Sequence, residues 1–395
     1  MARRLCGAEE YPRGLTAVAG HLLPGSSGPW PAGPLGDGEW AALLAAAAAH
    51  RVTGLLAAAV RDGALPATPA QAARAVSLHR AGQLRVLGLE QQLVAVTDLL
   101  DRHGLGARVL KGPAVAHLDY ADPALRSYVD LDVLVRSAEI DAVVAVLTGA
   151  GFRRTLQEPR PGFDRRFDKG LTMVPPAGYE LDLHRTFVLG PWGRLVDLDA
   201  LWRSGQEVVV AGTSLRALDR PHRFLHACYH AALGDWPLRL GSLRDVAELL
   251  RALEGPDGAG DAARVRDAAA RWGVEAVVAA AVADTHRLLG GTTGALTAWA
   301  EGYVPGRREE SWLALHTRRD KTFAAQALAT VAVLPGWRDR AAYLYALALP
   351  DRRYTTGRHR SPLARLVYAV GQVRRGRGRR PPRPGTVRDG DREGP

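Results

Sequence analysis

Cysteine is nearly absent. Cys6 and Cys228 are the only two in 395 residues, too few for a disulfide framework or a thiolate metal centre. Lysine is almost as scarce, since of 52 basic side chains only Lys111, Lys169 and Lys321 are lysines. Where arginine has been preferred so widely, a lysine marks a position that uses a compact ammonium rather than a planar fork. Long hydrophobic runs are missing too. The longest, Trp40 to Ala49, is too short to cross a bilayer and ends at His50-Arg51. The opening "MARRLCGAEEYPRG" has no apolar segment behind its arginines, so no secretory signal is expected and the expected location is the cytoplasm. There is no G-x-x-x-x-G-K-[ST], no strand followed by G-x-G-x-x-G and no G-x-S-x-G. Those absences exclude P-loop, dinucleotide-fold and nucleophile-elbow chemistry.

What is present is an ordinary globular composition, with 47% hydrophobic and 24% charged residues and a net charge of +11. The excess charge is unevenly spread. Residues 372–395 carry eight arginines against three acids in a Pro- and Gly-rich setting, which reads as a basic disordered tail. No aromatic side chains are interleaved there to stack on bases. A nucleic-acid partner is therefore not expected, except through the charge of that tail. No membrane partner is expected.

Along the chain the texture changes twice. Residues 1–36 read as a poorly ordered extension. Residues 37–105 read as helical, with apolar residues at three- and four-residue spacing up to a stop at Gly104. From 106 to 200 the pattern becomes an α/β unit. A strand "ARVL" leads into a helix "GPAVAHLDY"; a strand over 128–135 and a helix after Ser137 follow; two further strands, 164–174 and 178–187, are joined by "PPAG". Residues 201–371 read as helical again. The expected fold class is α+β, with a small mixed or antiparallel sheet set between N- and C-terminal helical regions.

The chemistry-bearing residues fall in the α/β unit. Strand alternation puts Asp130 and Asp132 of "SYVDLDVLV" on one face, with Val129, Leu131 and Val133 on the other. The same rule puts Glu180, Asp182 and His184 of "YELDLHRTF" on one face. With these strands side by side, Asp182 approaches the Asp130/Asp132 pair. Three carboxylates at that density repel unless a polyvalent cation sits among them, and hard cations such as Mg²⁺ take such oxygen ligands. Upstream, Lys111-Gly112 lies at a strand-to-helix turn, where backbone and helix N-terminus suit a phosphate. Arg126 stands four residues before Asp130 as a bidentate phosphate donor.

The order of these pieces, "VLKGPAVAHLDYADPALRSYVDLDVLV" followed by "YELDLHRTF", resembles the nucleotidyltransferase superfamily typified by polymerase beta. Within it, the sequence is most similar to a bacterial family of uncharacterised nucleotidyltransferases carrying LKG…R…DxD…DLH. Flanking helical segments extend the resemblance over about residues 38 to 290. It implies a small sheet with helices packed on one side and a metal-dependent transfer from a nucleoside triphosphate. With the carboxylate set, the expected reaction moves an NMP group to a hydroxyl of a small molecule or peptide, with two Mg²⁺ ions flanked by the carboxylates. It places the metal-binding and catalytic carboxylates on Asp130, Asp132 and Asp182, and gives Asp182 the task of activating the acceptor hydroxyl. Lys111, Gly112, Arg126 and His184 are the nucleotide-side candidates. One departure stands out: Lys-Gly-Pro replaces the superfamily's Gly-Ser turn, and the separation from Gly112 to Asp130 is longer than usual.

Other readings compete. His226 and His230 stand at i, i+4, but no Glu lies between them in an H-E-x-x-H arrangement, so packing is expected rather than zinc. Lys169 reads equally as a triphosphate contact or a surface residue. A non-catalytic nucleotide- or partner-binding protein and a phosphotransferase on the same scaffold are the alternatives to nucleotidyl transfer.

Overall fold

The structure, a computed structural model, describes residues 11–26, 28–234, 238–291, 293–317 and 323–355. The basic tail and Lys321 lie outside the described residues. Seven strands form one mixed sheet: β1 (Ala107–Val109), β2 (Leu131–Val135), β3 (Arg153–Arg154), β4 (Gly170–Val174), β5 (Leu181–His184), β6 (Gln206–Val210) and β7 (Thr213–Ala217). Their order across the sheet is β3-β4-β5-β2-β1-β7-β6. β2 runs antiparallel to β1 but parallel to β5, and that parallel pairing defines the centre of the sheet.

One face of the sheet is apolar because alternate residues of the strands are. Leu131, Val133 and Val135 of β2 join Leu181 and Leu183 of β5 and Met173 of β4. The helix Pro69–Arg102 covers them with Val86, Leu89, Leu93, Val96 and Leu100, residues spaced by three and four. Thr68 starts that helix through a capping box with Gln71. The helix Ile140–Gly149 adds Ile140, Val143 and Leu147. Gly170 holds the β4–β5 register. A side chain there would meet the Leu183 carbonyl at 1.9 Å, so only glycine lets the strands close.

The opposite face carries the polar residues of β2 and β5. A second, larger core lies on this side, and it joins the N-terminal and C-terminal helices into one body. Leu15, Val18, Trp40, Leu43 and Leu56 pack with Phe224, Leu243, Val246, Val277 and Trp312. No helix among the described residues is long and apolar enough to cross a membrane.

Four expectations are corrected. Within the 1–36 extension, the helix Leu15–Gly20 is buried, and the carbonyls of Ala19 and His21 accept hydrogen bonds from Arg244. Its four apolar side chains are what hold it. The segment 201–371 opens not with helix but with the β6–β7 hairpin. Its two-residue turn, Ala211-Gly212, has both φ angles positive, and Val208, Val210, Leu215 and Ala217 alternate inward. The start of the 164–174 strand is a helical turn, Phe163–Arg166, because Phe163 and Phe167 fold onto Tyr343. Val129 is 43% exposed, since β2 begins only at Leu131.

Arg126 ties the sheet to the helical body. Its Nε and Nη2 donate to the two carboxylate oxygens of Asp245, at 2.7 and 2.6 Å, and its Nη1 donates to the Gly112 carbonyl. The helix Arg220–Tyr229 passes below the polar face with His226 buried against Phe187. Burial, and then the neighbouring Lys111 charge, push His226 down to about 3, and His230 is likewise held well below the ordinary histidine value. These imidazoles are neutral parts of the packing, and for each the nearby Lys111 charge outweighs that of Asp132.

Two measurements check this architecture. Arg126→Ala leaves the buried Asp245 without its cation, with only the Tyr120 hydroxyl still donating to it, and should cost about 3–5 kcal/mol in denaturant unfolding. The double variant Arg126→Met/Asp245→Leu should recover most of that loss; no recovery would show that the pair is not what the substitution breaks. His226 takes up a proton in the unfolded chain below about pH 6.5 but not in the folded one until about 3. Its contribution is therefore complete above pH 6.5 and is lost as the pH falls. From pH 7 to 5 it should remove about 2 kcal/mol of stability. His226→Leu should flatten that slope, as read by urea midpoints across the range.

Candidate active site

Register brings the acidic residues together. In the parallel β2–β5 pairing Asp132 lies directly opposite Asp182, and Leu134 opposite His184. Adjacent strands are about 4.8 Å apart, so the two carboxylates share one face at close range. Ligand atoms of Asp132, Asp182 and His184 all lie within 4.8 Å of one another. Asp132 is only 4% exposed. Its Oδ1 accepts from His184 Nε2 at 2.7 Å and faces the Lys111 ammonium at 3.1 Å. Its Oδ2 is buried with no hydrogen-bond partner.

Charge explains why this is tolerated. Burial pushes the Asp132 carboxyl up, but the Lys111 charge and the His184 hydrogen bond outweigh it and hold the group well below the usual carboxylate range. For Lys111, burial pushes the ammonium down, and the charges of Asp132 and Asp130 more than reverse that. Asp132 is therefore ionised and can only accept, so His184 Nε2 carries the proton in their hydrogen bond. His184 orients Asp132. Asp182 accepts from the Thr172 hydroxyl across the β4–β5 pair.

The other expected residues take different places. Asp130 precedes β2 and faces Arg51, whose Nη1 lies 3.4 Å away, instead of joining the Asp132–Asp182–His184 cluster. Arg51 sits just past the helix Asp37–Ala49 with a positive φ of 59°, a conformation that aims it back toward the sheet. Gly112 has φ 31° and ψ −111°, and that break in the helix Lys111–Asp119 sets Lys111 over Asp132. Arg126 does not present a free fork to a phosphate. It is buried, and its guanidinium is engaged by Asp245 and Gly112.

Sequence reading missed Arg51, Thr172 and Asp245. Arg51 and Asp245 meet their partners only through tertiary structure, across 79 and 119 residues, and no local spacing signals such contacts. Thr172 lies only ten residues from Asp182, directly opposite it in the β4–β5 hairpin, so the register of that hairpin was the signal that could have found it.

Two openings flank the carboxylates. A narrow cleft on the β1 side is lined by Arg51, Lys111, Gly112, Ser127 and Asp130. A cavity of about 290 Å³ on the β4 side is lined by Asp182, His184, Thr172, Lys169, Asp164 and Tyr354, among others. The donor set fits a hard divalent cation: two carboxylates on adjacent strands, one with an unpartnered buried oxygen. Among the described residues, His226 and His230 belong to no such group of possible metal ligands.

Comparison with known proteins gives the family of the chain. The solution structure of the antibiotic-resistance factor ANT(2'')-Ia aligns with a TM-score of 0.33 at 17% identity, over 45% of this chain and 89% of that one. An antigenic nucleotidyltransferase-like protein from Paracoccidioides brasiliensis aligns with a TM-score of 0.28 at 12% identity, over 47% and 92%. No curated protein matches the sequence. A family described as uncharacterised nucleotidyltransferase matches residues 36–290, which span the helical N-terminal region, the sheet with its carboxylates and the helices beneath them. The chain belongs to this nucleotidyltransferase family.

Proposed function

We propose that the protein is a Mg²⁺-dependent nucleotidyltransferase that moves an NMP group from an NTP to a hydroxyl of a small molecule or peptide. The observation that carries this reading is the pairing of Asp132 with Asp182 on adjacent parallel strands, with one Asp132 oxygen buried and unpartnered. Asp132 and Asp182 would hold the metal, and Asp130 would join them from the start of β2 on leaving Arg51. When bound, Mg²⁺ would neutralise charge building on the transferring phosphoryl group and favour the attacking oxygen.

The chain's own residues do the rest. Lys111 and Arg51, on the cleft side, supply positive charge for the triphosphate. Ser127, whose hydroxyl lies 2.8 Å from that of Thr53, adds a polar contact on the same side. Asp182 faces the larger cavity, which suits an acceptor hydroxyl, and Thr172 fixes the carboxylate's orientation there. His184 keeps Asp132 in place from below. A volume of about 290 Å³ is close to that of small-molecule pockets, in keeping with a small acceptor. The cleft at Asp130 and Lys111 and the cavity at Asp182 would give donor and acceptor separate approaches.

The neutralisation of Asp132 by Lys111 and of Asp130 by Arg51 is the feature that favours the alternative, a nucleotide-binding protein without turnover. Label position separates the readings. The protein is incubated with Mg²⁺, cell extract and each NTP labelled at the α- or γ-phosphate. Retention of α-label on an acceptor is the expected result; γ-label would mean phosphoryl transfer, and neither would mean binding alone. Asp132→Asn and Asp182→Asn should each lower α-label transfer by at least about a hundredfold. Both should still unfold cooperatively, and undiminished transfer in either would overturn the assignment.

A further inference from the structure

The chain contains a contrast between two kinds of buried ion pair. Arg126 meets both oxygens of Asp245, and Arg223 meets both oxygens of Asp119, at 2.9 and 2.8 Å. These closed forks leave no carboxylate oxygen short of a partner, as suits a permanent link. Lys111 is different. It approaches one oxygen of Asp132, the oxygen His184 already occupies, and the other oxygen has nothing. An unpaired buried carboxylate oxygen is costly, so this pair is a partial solution rather than a finished one. The residue that makes it is one of only three lysines in a chain that otherwise uses arginine. It is held at a broken helix start and lines the cleft that also contains Arg51 and Ser127.

We propose that Lys111 is an exchangeable counter-ion: it stands in the cation's place on Asp132 in the metal-free protein and passes to the nucleotide's phosphates when metal enters. The proposal rests on the nucleotide and metal roles above. A metal arriving alone must displace the ammonium from a buried carboxylate and leave it without a direct partner, with only the charge of Asp130 nearby. A metal arriving with a triphosphate gives the ammonium a new partner as it takes the old one. Metal therefore binds weakly by itself and tightly with nucleotide. By reciprocity, each tightens the other by the same factor. A point-like, flexibly mounted ammonium can make that exchange, while a bidentate guanidinium on both oxygens would close the site.

The test reads metal binding directly. Calorimetric titration with Mn²⁺ alone is made on the full chain and on Lys111→Met, which keeps the side-chain bulk and removes its charge. The variant should bind Mn²⁺ alone at least tenfold tighter than the parent. Adding α,β-methylene ATP should tighten Mn²⁺ binding at least tenfold in the parent and by a smaller factor in the variant. A variant that binds Mn²⁺ no tighter than the parent overturns the exchange. Should Lys111→Met fail to fold, Lys111→Gln is measured by thermal melting. Mg²⁺ alone should raise its Tm by several degrees while leaving the parent's unchanged, and equal shifts overturn the proposal. Because Mn²⁺ binding needs no turnover, a protein that behaves this way yet transfers no label loses nucleotidyl transfer and keeps the exchange.

Discussion

A carboxylate with 4% exposure cannot stay ionised without compensation, and Asp132 is the point where this constraint is met. Lys111 and His184 both turn to it, and each is put there by something else. The broken helix start at Gly112 delivers Lys111, and Arg126 secures the Gly112 carbonyl from below. The β2–β5 register delivers His184 two residues beyond Asp182. Asp245, a residue of the helix Leu240–Leu253, anchors Arg126 in turn. A chain of charge compensation thus runs from the sheet into the helical body, and the two layers cannot shift independently without exposing one of its members.

Hydrophobic packing follows the same division. The face of the sheet away from the site is filled by aliphatic side chains and sealed by the helices Pro69–Arg102 and Ile140–Gly149. The site face is bordered by a core that draws on residues from Leu15 to Leu313. The helices on either side of the α/β unit are therefore one wall, not two appendages. The family match from residue 36 to 290 covers most of that wall and the whole sheet. Tyr354, outside the match, lines the larger cavity, while the Arg160 side chain and Pro159 carbonyl bond to the nearby backbone at Leu349 and Asp351.

Much of this was legible in the sequence where signals are local. Alternation around Asp132 and Asp182 located two strands and their polar face, and the spacing of Leu89, Leu93, Val96 and Leu100 located the long helix. The resemblance carried by "VLKGPAV…VDLDVLV…YELDLH" agreed with the family found. What escaped depends on distance. Asp130 follows the two-residue rule with Asp132, yet it precedes the strand and is taken by Arg51, 79 residues away. Arg126 has the charge and position of a phosphate ligand, yet a residue on a distant helix claims it. The β6–β7 hairpin was hidden because it lies between helical segments, and its turn uses Ala211 where glycine or asparagine would have announced it.

That hairpin has a consequence for how the protein is made. β1 sits between β2 and β7, and Val109 pairs with Ala217, 108 residues later in the chain. During synthesis, β1 leaves the ribosome with one edge open and waits for its second neighbour. At about 5–20 residues per second the wait lasts on the order of ten seconds. β2 and β5 are complete well before it ends, so the two carboxylates face each other in a half-built sheet while β1 still has a bare backbone edge. Such an edge invites pairing with another nascent chain. Synthesis speed between residues 109 and 217 thus becomes a determinant of yield, separate from the stability of the finished fold.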